Sequence, residues 1–281
     1  VDFSYLTESI TNSKRPSVLI GSGIRSAKVI EEFTNFVEKY SFPVTYSHSA
    51  ADTYGTKNDL SIGAVGSMGG TRAGNFVTQN SDLVLVLGSS LSTFTTGSEY
   101  HKFARDAKII VVDIDNIEHT KNTVKIDKFL HLDLKSFFEE IEMIDLSSCP
   151  KEWVSKCLHW KQLFTKCEEQ FKSLDKVNLY DFTESLSKVL PDRCTILTDA
   201  GLQELIIPPN LNLKKGQRCI HPAAQGSMGY ALPASFGVHY SGGENVIAVI
   251  GDGSIMMNLQ ELQTLVYNNI PVKIIVISNN V

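Results

Sequence analysis

Near-continuous apolar runs alternate with amphipathic stretches through the first half of the chain. Residues 17–20 form a short apolar run that ends in Gly21-Ser22-Gly23. Residues 27–40 place Val29, Ile30, Phe33 and Val37 at helical spacing, which lays one apolar stripe along a helix. Residues 42–46, 83–87 and 109–114 are apolar runs without regular polar alternation, as expected of strands buried on both faces of a parallel sheet. Residues 129–141 read as a closing helix. Strand and helix in alternation predict a doubly wound α/β domain over residues 1–146.

The pattern then changes. Residues 146–150 are turn-like, and residues 152–171 form a polar helical stretch carrying Trp153, Trp160 and Phe164. Residues 147–177 are therefore read as a linker helix lying on the surface of the domains. A second α/β unit is expected over residues 178–281. Its elements are a helix at 182–189, a strand at 195–198, a loop containing Pro and Gly, a helix at 230–240, a strand at 246–250, a helix at 257–268 and a strand at 272–277. The sequence stops just past a strand tip, so this second domain is expected to be truncated. The fold class is thus α/β, two doubly wound Rossmann-like parallel-sheet domains joined by a linker helix.

The chemistry concentrates near the end. The strand at 246–250 delivers Asp252 into the crevice where α/β sheets bind ligands. Gly251 and Gly253 flank it and permit close backbone approach to a phosphate. Ser254 is expected to begin the next helix, whose N-terminal amides suit an anionic diphosphate. After one crossover, the parallel strand at 272–277 delivers Asn279, 27 residues beyond Asp252, to the same sheet edge. A carboxylate oxygen and an amide oxygen make a hard-oxygen site of the kind magnesium prefers, and the Val281 carbonyl is a further candidate ligand. An ordinary turn followed by an Asn-Asn loop uses the same residues; the strand–helix–strand context favours the ligand site.

Composition narrows the remaining classes. The net charge of −5 and the lack of a concentrated basic stripe argue against nucleic acid. No run reaches the roughly 18–20 apolar residues of a membrane span, and the opening Val-Asp-Phe-Ser has no basic region followed by an apolar core. Cys149, Cys157, Cys167, Cys194 and Cys219 form no C-x-x-C pair, which argues against structural zinc and a disulfide framework and points to a reducing, cytoplasmic setting.

Gly251-Asp252-Gly253 with Asn279-Asn280 resembles the thiamine-diphosphate motif. Met257-Asn258-Leu259-Gln260-Glu261-Leu262 with Ile270-Pro271-Val272-Lys273 resembles the acetolactate synthases in particular. Gly226-Ser227-Met228-Gly229-Tyr230-Ala231-Leu232-Pro233-Ala234 is similar to the loop preceding that motif, and Thr198-Asp199-Ala200-Gly201-Leu202-Gln203 to the start of the same domain. Residues 81–88, 103–115 and Ile117-Glu118 extend the resemblance through the first domain.

The resemblance implies thiamine diphosphate and Mg2+ as cofactors and decarboxylation or carboligation of a 2-oxo acid such as pyruvate. By its pattern Asp252 and Asn279 hold the metal. Gly251, Gly253, Ser254 and Gln203 face the diphosphate, with Gln203 standing where the family often has His. Gly226 and Ser227 line the loop that presents Met228 beneath the thiazolium ring; a core-filling Met is the plainer account of that residue. The activating glutamate belongs to a domain outside these residues and is supplied by a partner subunit, which implies a homodimer or homotetramer and a fragment inactive alone. The resemblance also admits FAD on the first domain. Against it, residues 91–97 lack the Asp-Asp-Arg of flavin-binding synthases, and Asp113 and Asp115 are the acids left to meet a ribose. A rival reading is an NAD- or FAD-binding module without thiamine chemistry: residues 82–91 resemble a segment of NAD-dependent deacylases, whose four-cysteine zinc site the cysteine spacing contradicts.

Overall fold

The computed structural model describes residues 2–164, 166–171, 176–223 and 225–279. They form two compact units, one from Val1–Tyr54 with Asn58–Thr165 and one from Gly55–Lys57 with Lys166–Val281. Among the described residues no helix is long and apolar enough to cross a membrane.

Unit 1 is a six-stranded parallel sheet. Its strands are β1 (Pro16–Ile20), β2 (Val44–Tyr46), β3 (Ser61–Ala64), β4 (Leu83–Leu87), β5 (Lys108–Asp113) and β6 (Lys128–His131), in the order β3-β2-β1-β4-β5-β6. The order reverses between β1 and β4, which pair with Val18 opposite Leu85. Both strands are buried along their full length, which accounts for their unbroken apolar sequences. On one side, helix Ile30–Tyr40 meets helix Leu134–Ile141 through Phe33, Phe36, Phe137 and Phe138; the Phe36 and Phe138 rings lie 5.9 Å apart. A second cluster contains Leu19, Val86, Phe103, Ile109 and Val111.

The loops after β1 and β4 meet backbone to backbone. A Cβ on Gly21 would stand 2.2 Å from the Gly88 carbonyl oxygen, so no larger residue fits there.

Two expectations for unit 1 change. Residues 129–141 are not one helix: Lys128–His131 is the edge strand β6, and the helix begins only at Leu134. Asp133 marks that start, its carboxylate accepting from the Lys135 amide at 2.8 Å. Of the stretch expected as a linker over 147–177, residues 147–164 fold with unit 1, whereas Lys166 onward belongs to unit 2. Helix Lys151–Leu163 buries Trp153, whose indole donates to the Pro16 carbonyl at 2.9 Å. Strand β3 and helix Arg72–Asn80, capped by Thr71, complete the unit.

Unit 2 is a four-stranded parallel sheet of β7 (Cys194–Thr198), β8 (Gln217–Ile220), β9 (Val246–Gly251) and β10 (Lys273–Ile277), in the order β10-β9-β7-β8. The chain leaves β7 toward β8 and later returns to the other side of β7 as β9. This reversal opens a crevice beyond the carboxyl ends of β7 and β9, the place where such sheets take ligands. The loop expected after β7 is instead helix Leu202–Asn210 followed by β8. Pro208 and Pro209 lie inside this helix, in its last turn, and are buried there with Ile207.

The expected helix over 257–268 is also divided. A single turn, Asp252–Ile255, runs into a 3-10 turn, Met256–Asn258, before helix Glu261–Tyr267. Gly55–Lys57 belongs to this unit: the Thr56 hydroxyl donates to the Leu211 carbonyl and accepts from the Leu213 amide.

Candidate functional site

Strands β9 and β10 pair in parallel with Ile277 opposite Gly251. Asp252 and Ser278 therefore leave the sheet at the same level. The Asp252 carboxylate gathers donors there from the described residues. Oδ1 accepts from the Gly253 amide at 2.9 Å, and Oδ2 accepts from the Ser278 hydroxyl at 2.9 Å and the Asn279 amide at 3.2 Å. The sequence expectation that Asp252 and Asn279 reach one sheet edge matches this geometry. Asn280 and Val281, the latter the third candidate ligand, lie outside the described residues.

The glycines and Gln203 close around the aspartate loop. Gln203 is buried in the first turn of helix Leu202–Asn210, and its amide donates to the Ala200 carbonyl. A Cβ on Gly251 would come 3.2 Å from that same amide nitrogen, so glycine at 251 leaves room for the Gln203 side chain. Ser254 does not open the helix as expected. The helical turn begins at Asp252, and Ser254 sits within it with its side chain buried.

Met228 is not core filler: it is 51% exposed. Its Cε lies 3.8 Å from the position a Cβ would take on Gly253, which brings it to the aspartate loop. Gly226 turns back toward helix Leu202–Asn210; φ is +59° and the Glu204 Oε2 lies 3.9 Å from its Cβ position. Ser227 is exposed in the same loop.

Three polar residues of this edge escaped the sequence reading. Asp199, at the tip of β7, is fully buried and accepts from the amides of Ala200, Gly229 and Ala231. Its signal was an acidic residue directly after an apolar strand and before a glycine. Asn258 donates to the Gly229 carbonyl at 2.8 Å. Glu204 Oε1 stands 3.5 Å from His221 Nδ1.

At the carboxyl ends of the unit 1 strands, Asp113 at the tip of β5 is engaged within the protein. His119 lies 3.5 Å from Asp113 Oδ2, and the Asp115 amide donates to Oδ1. Burial raises the Asp113 carboxyl, but the His119 ring and the backbone amides outweigh it and hold the group below the usual carboxylate value.

A buried strand-end carboxylate, a glycine-flanked aspartate and an asparagine on the neighbouring strand describe a particular domain. Residues 199–281 match the model of the thiamine pyrophosphate enzyme C-terminal TPP binding domain, and residues 4–141 match the central domain of the same enzymes. The chain belongs to the thiamine pyrophosphate enzyme family. Within it, the chain is 32% identical over 276 residues to the acetolactate synthase large subunit of Buchnera aphidicola subsp. Schizaphis graminum, a match covering 96% of this chain and 48% of that protein. It is 28% identical over 278 residues to acetolactate synthase isozyme 1 large subunit of Escherichia coli, covering 96% and 47%. It is 30% identical over 277 residues to chloroplastic acetolactate synthase 3 of Brassica napus, covering 96% and 41%. The chain thus spans about half the length of these relatives. Asp252, Asn279, Gln203 and Met228 all fall within the stretch matched by the thiamine pyrophosphate enzyme C-terminal domain.

Proposed function

We propose that the protein containing this chain carries out thiamine-diphosphate- and magnesium-dependent decarboxylation and carboligation of a 2-oxo acid, with pyruvate as the substrate. The observation that carries the reading is the meeting of Asp252 and Asn279 at adjacent strand tips. Their oxygens are the hard donors magnesium selects, and the crevice beside them sits at the reversal in strand order. The donor set therefore fits a magnesium–diphosphate group.

When bound, thiamine diphosphate supplies the electron sink that lets a 2-oxo acid lose carbon dioxide. The residues of this chain hold and orient it. Asp252 and Asn279 take the metal, with the Val281 carbonyl as a further ligand. The backbone of Gly251, Gly253 and Ser254 faces the diphosphate, in the first turn of a helix where amides lack intrahelical partners. Gln203, whose side-chain nitrogen borders Gly251, faces the diphosphate with them. Met228, presented by the Gly226–Ser227 loop, offers an apolar, polarisable surface to the cofactor ring. The activating glutamate comes from another domain in a partner subunit, so the working protein is a homodimer or homotetramer.

Two observations weigh against a flavin nucleotide on unit 1. The acid at the tip of β5 is engaged by His119 and the Asp115 amide, and the Asp-Asp-Arg of flavin-binding synthases is missing.

Titration calorimetry of the full-length protein tests the reading. Thiamine diphosphate is expected to bind only with magnesium present, and pyruvate to yield carbon dioxide and acetolactate. Magnesium-independent binding, or no consumption of any 2-oxo acid by the loaded protein, overturns it.

A further inference from the structure

The turn that carries Met228 is held from two sides by residues the proposed chemistry does not use. Asp199 grips it from the β7 side. Its Oδ1 accepts from the Gly229 amide at 2.9 Å, and its Oδ2 accepts from the Ala231 amide at 2.7 Å. Asn258 grips it from the other side, its Nδ2 donating to the Gly229 carbonyl at 2.8 Å. Both polar backbone groups of Gly229 are thereby fixed. The fit also demands glycine: φ is +78°, and a Cβ would lie 2.8 Å from Asn258 Nδ2 and 2.9 Å from Met257 Cβ. The 3-10 turn ending at Asn258 follows the Asp252–Ile255 turn without a break. Asn258 therefore ties the Met228 turn to the segment that starts at the metal-binding aspartate.

We propose that Asn258, acting with Asp199, is a positioning residue that sets the height of Met228 against the ring of the cofactor. The inference rests on the thiamine-diphosphate reading above and extends it to residues that touch neither metal nor phosphate. A half-exposed methionine has three rotatable bonds and only partial packing to hold it, so its placement leans on its backbone. Fixing the Gly229 peptide from both faces supplies that pre-organisation. The clamp's hydrogen bonds end on Gly229, Ala231 and, beside Asp199 itself, Ala200; those of Asn258 and Asp199 do not end on Asp252, Gly253 or Asn279. The ring end of the ligand should therefore feel Asn258 and the diphosphate end should not.

The test titrates the full-length protein in excess magnesium with thiamine diphosphate and, separately, with inorganic pyrophosphate. Asn258→Ala deletes the donor, and Asn258→Asp keeps the shape but turns an acceptor toward the Gly229 carbonyl. Each is expected to weaken thiamine diphosphate about tenfold, equivalent to ~1.4 kcal/mol, and to leave pyrophosphate within about twofold. In a Met228→Ala background, Asn258→Ala is expected to add less than about twofold, because two changes acting through one side chain do not sum. Asn258→Gln carries the same expectation where Asn258→Ala is too unstable to titrate. Equal weakening of both ligands, no weakening of either, or fully additive effects overturns the inference. Wild-type protein that binds neither ligand defeats the functional reading and this inference with it; wild-type protein that binds both beside unchanged variants defeats the inference alone.

Discussion

The Asp252 carboxylate accepts a hydrogen bond from the main-chain N–H of Asn279 at 3.2 Å, although 27 residues separate them. The parallel pairing of β9 with β10 produces this contact, so loss of the carboxylate should cost ligand binding without dismantling the sheet. Wild-type protein with thiamine diphosphate and magnesium at a hundredfold excess over Kd should gain about 2.7 kcal/mol of stability. Asp252→Ala is expected to lose that gain. Thermal unfolding with and without ligand measures it; an undiminished shift in the variant rules out the metal role.

Gly21→Ala tests the contact between the loops after β1 and β4. The new Cβ would meet the Gly88 carbonyl oxygen at 2.2 Å, and backbone rather than a movable side chain has to yield. The expected destabilisation is about 1–3 kcal/mol or more, read as a lower midpoint in urea. An unchanged midpoint would show that the loops separate freely.

Asp82 should make stability depend on acid. Burial raises its carboxyl, but the Ser13 hydroxyl and the Lys14 and Arg15 amides outweigh that and hold it below the usual carboxylate value. A depressed carboxylate contributes stability that is complete above the unfolded-state pKa of about 3.9 and lost as pH falls through the folded value. Asp82→Asn is expected to flatten the fall of thermal midpoint below about pH 4. A parallel fall in both proteins would remove Asp82 from the account.

The five cysteines should react unequally. Burial pushes the Cys149 thiol up to about 12 and the Cys194 thiol up to about 11, and raises Cys157 further still. Thiolate is the reactive form, so these groups should be inert at neutral pH while the native fold persists. Half-buried Cys167 is expected to react first with a thiol reagent, and Cys167→Ser to remove that fast phase. Fast labelling of Cys149 or Cys157 would contradict their burial.

The sequence displayed some elements more clearly than others, for identifiable reasons. Leu83–Leu87 announced itself because it is apolar throughout and buried throughout. Lys128–His131 did not: Phe129, Leu130, Leu134, Phe137 and Phe138 fall close to helical spacing, and a four-residue edge strand offers too few positions to contradict it. Helix Leu202–Asn210 was hidden by Pro208 and Pro209, which read as breakers; each forgoes its amide bond to the turn before, but they fall in the last turn, so little helix beyond them is disrupted, and both are buried. Trp153 and Trp160 marked a helix correctly but not its partner, because spacing shows which face is apolar and not what covers it. At the site, Asp252 and Asn279 were legible because each follows an apolar strand and one crossover joins the two strands. Asp199 and Asn258 were not, since their partners are backbone groups of a turn, which no side-chain pattern marks.

Thr56 has a practical consequence for dissecting this molecule. Its hydroxyl satisfies the Leu211 carbonyl and the Leu213 amide, groups just beyond the end of helix Leu202–Asn210. Those three residues from the amino-terminal half complete a cofactor-binding fold encoded more than 100 residues later. A recombinant piece beginning at Lys166 would leave these main-chain groups without their donor and acceptor, so excision at a single cut point yields a frayed product, and useful expression boundaries must keep the Gly55–Lys57 tripeptide on board.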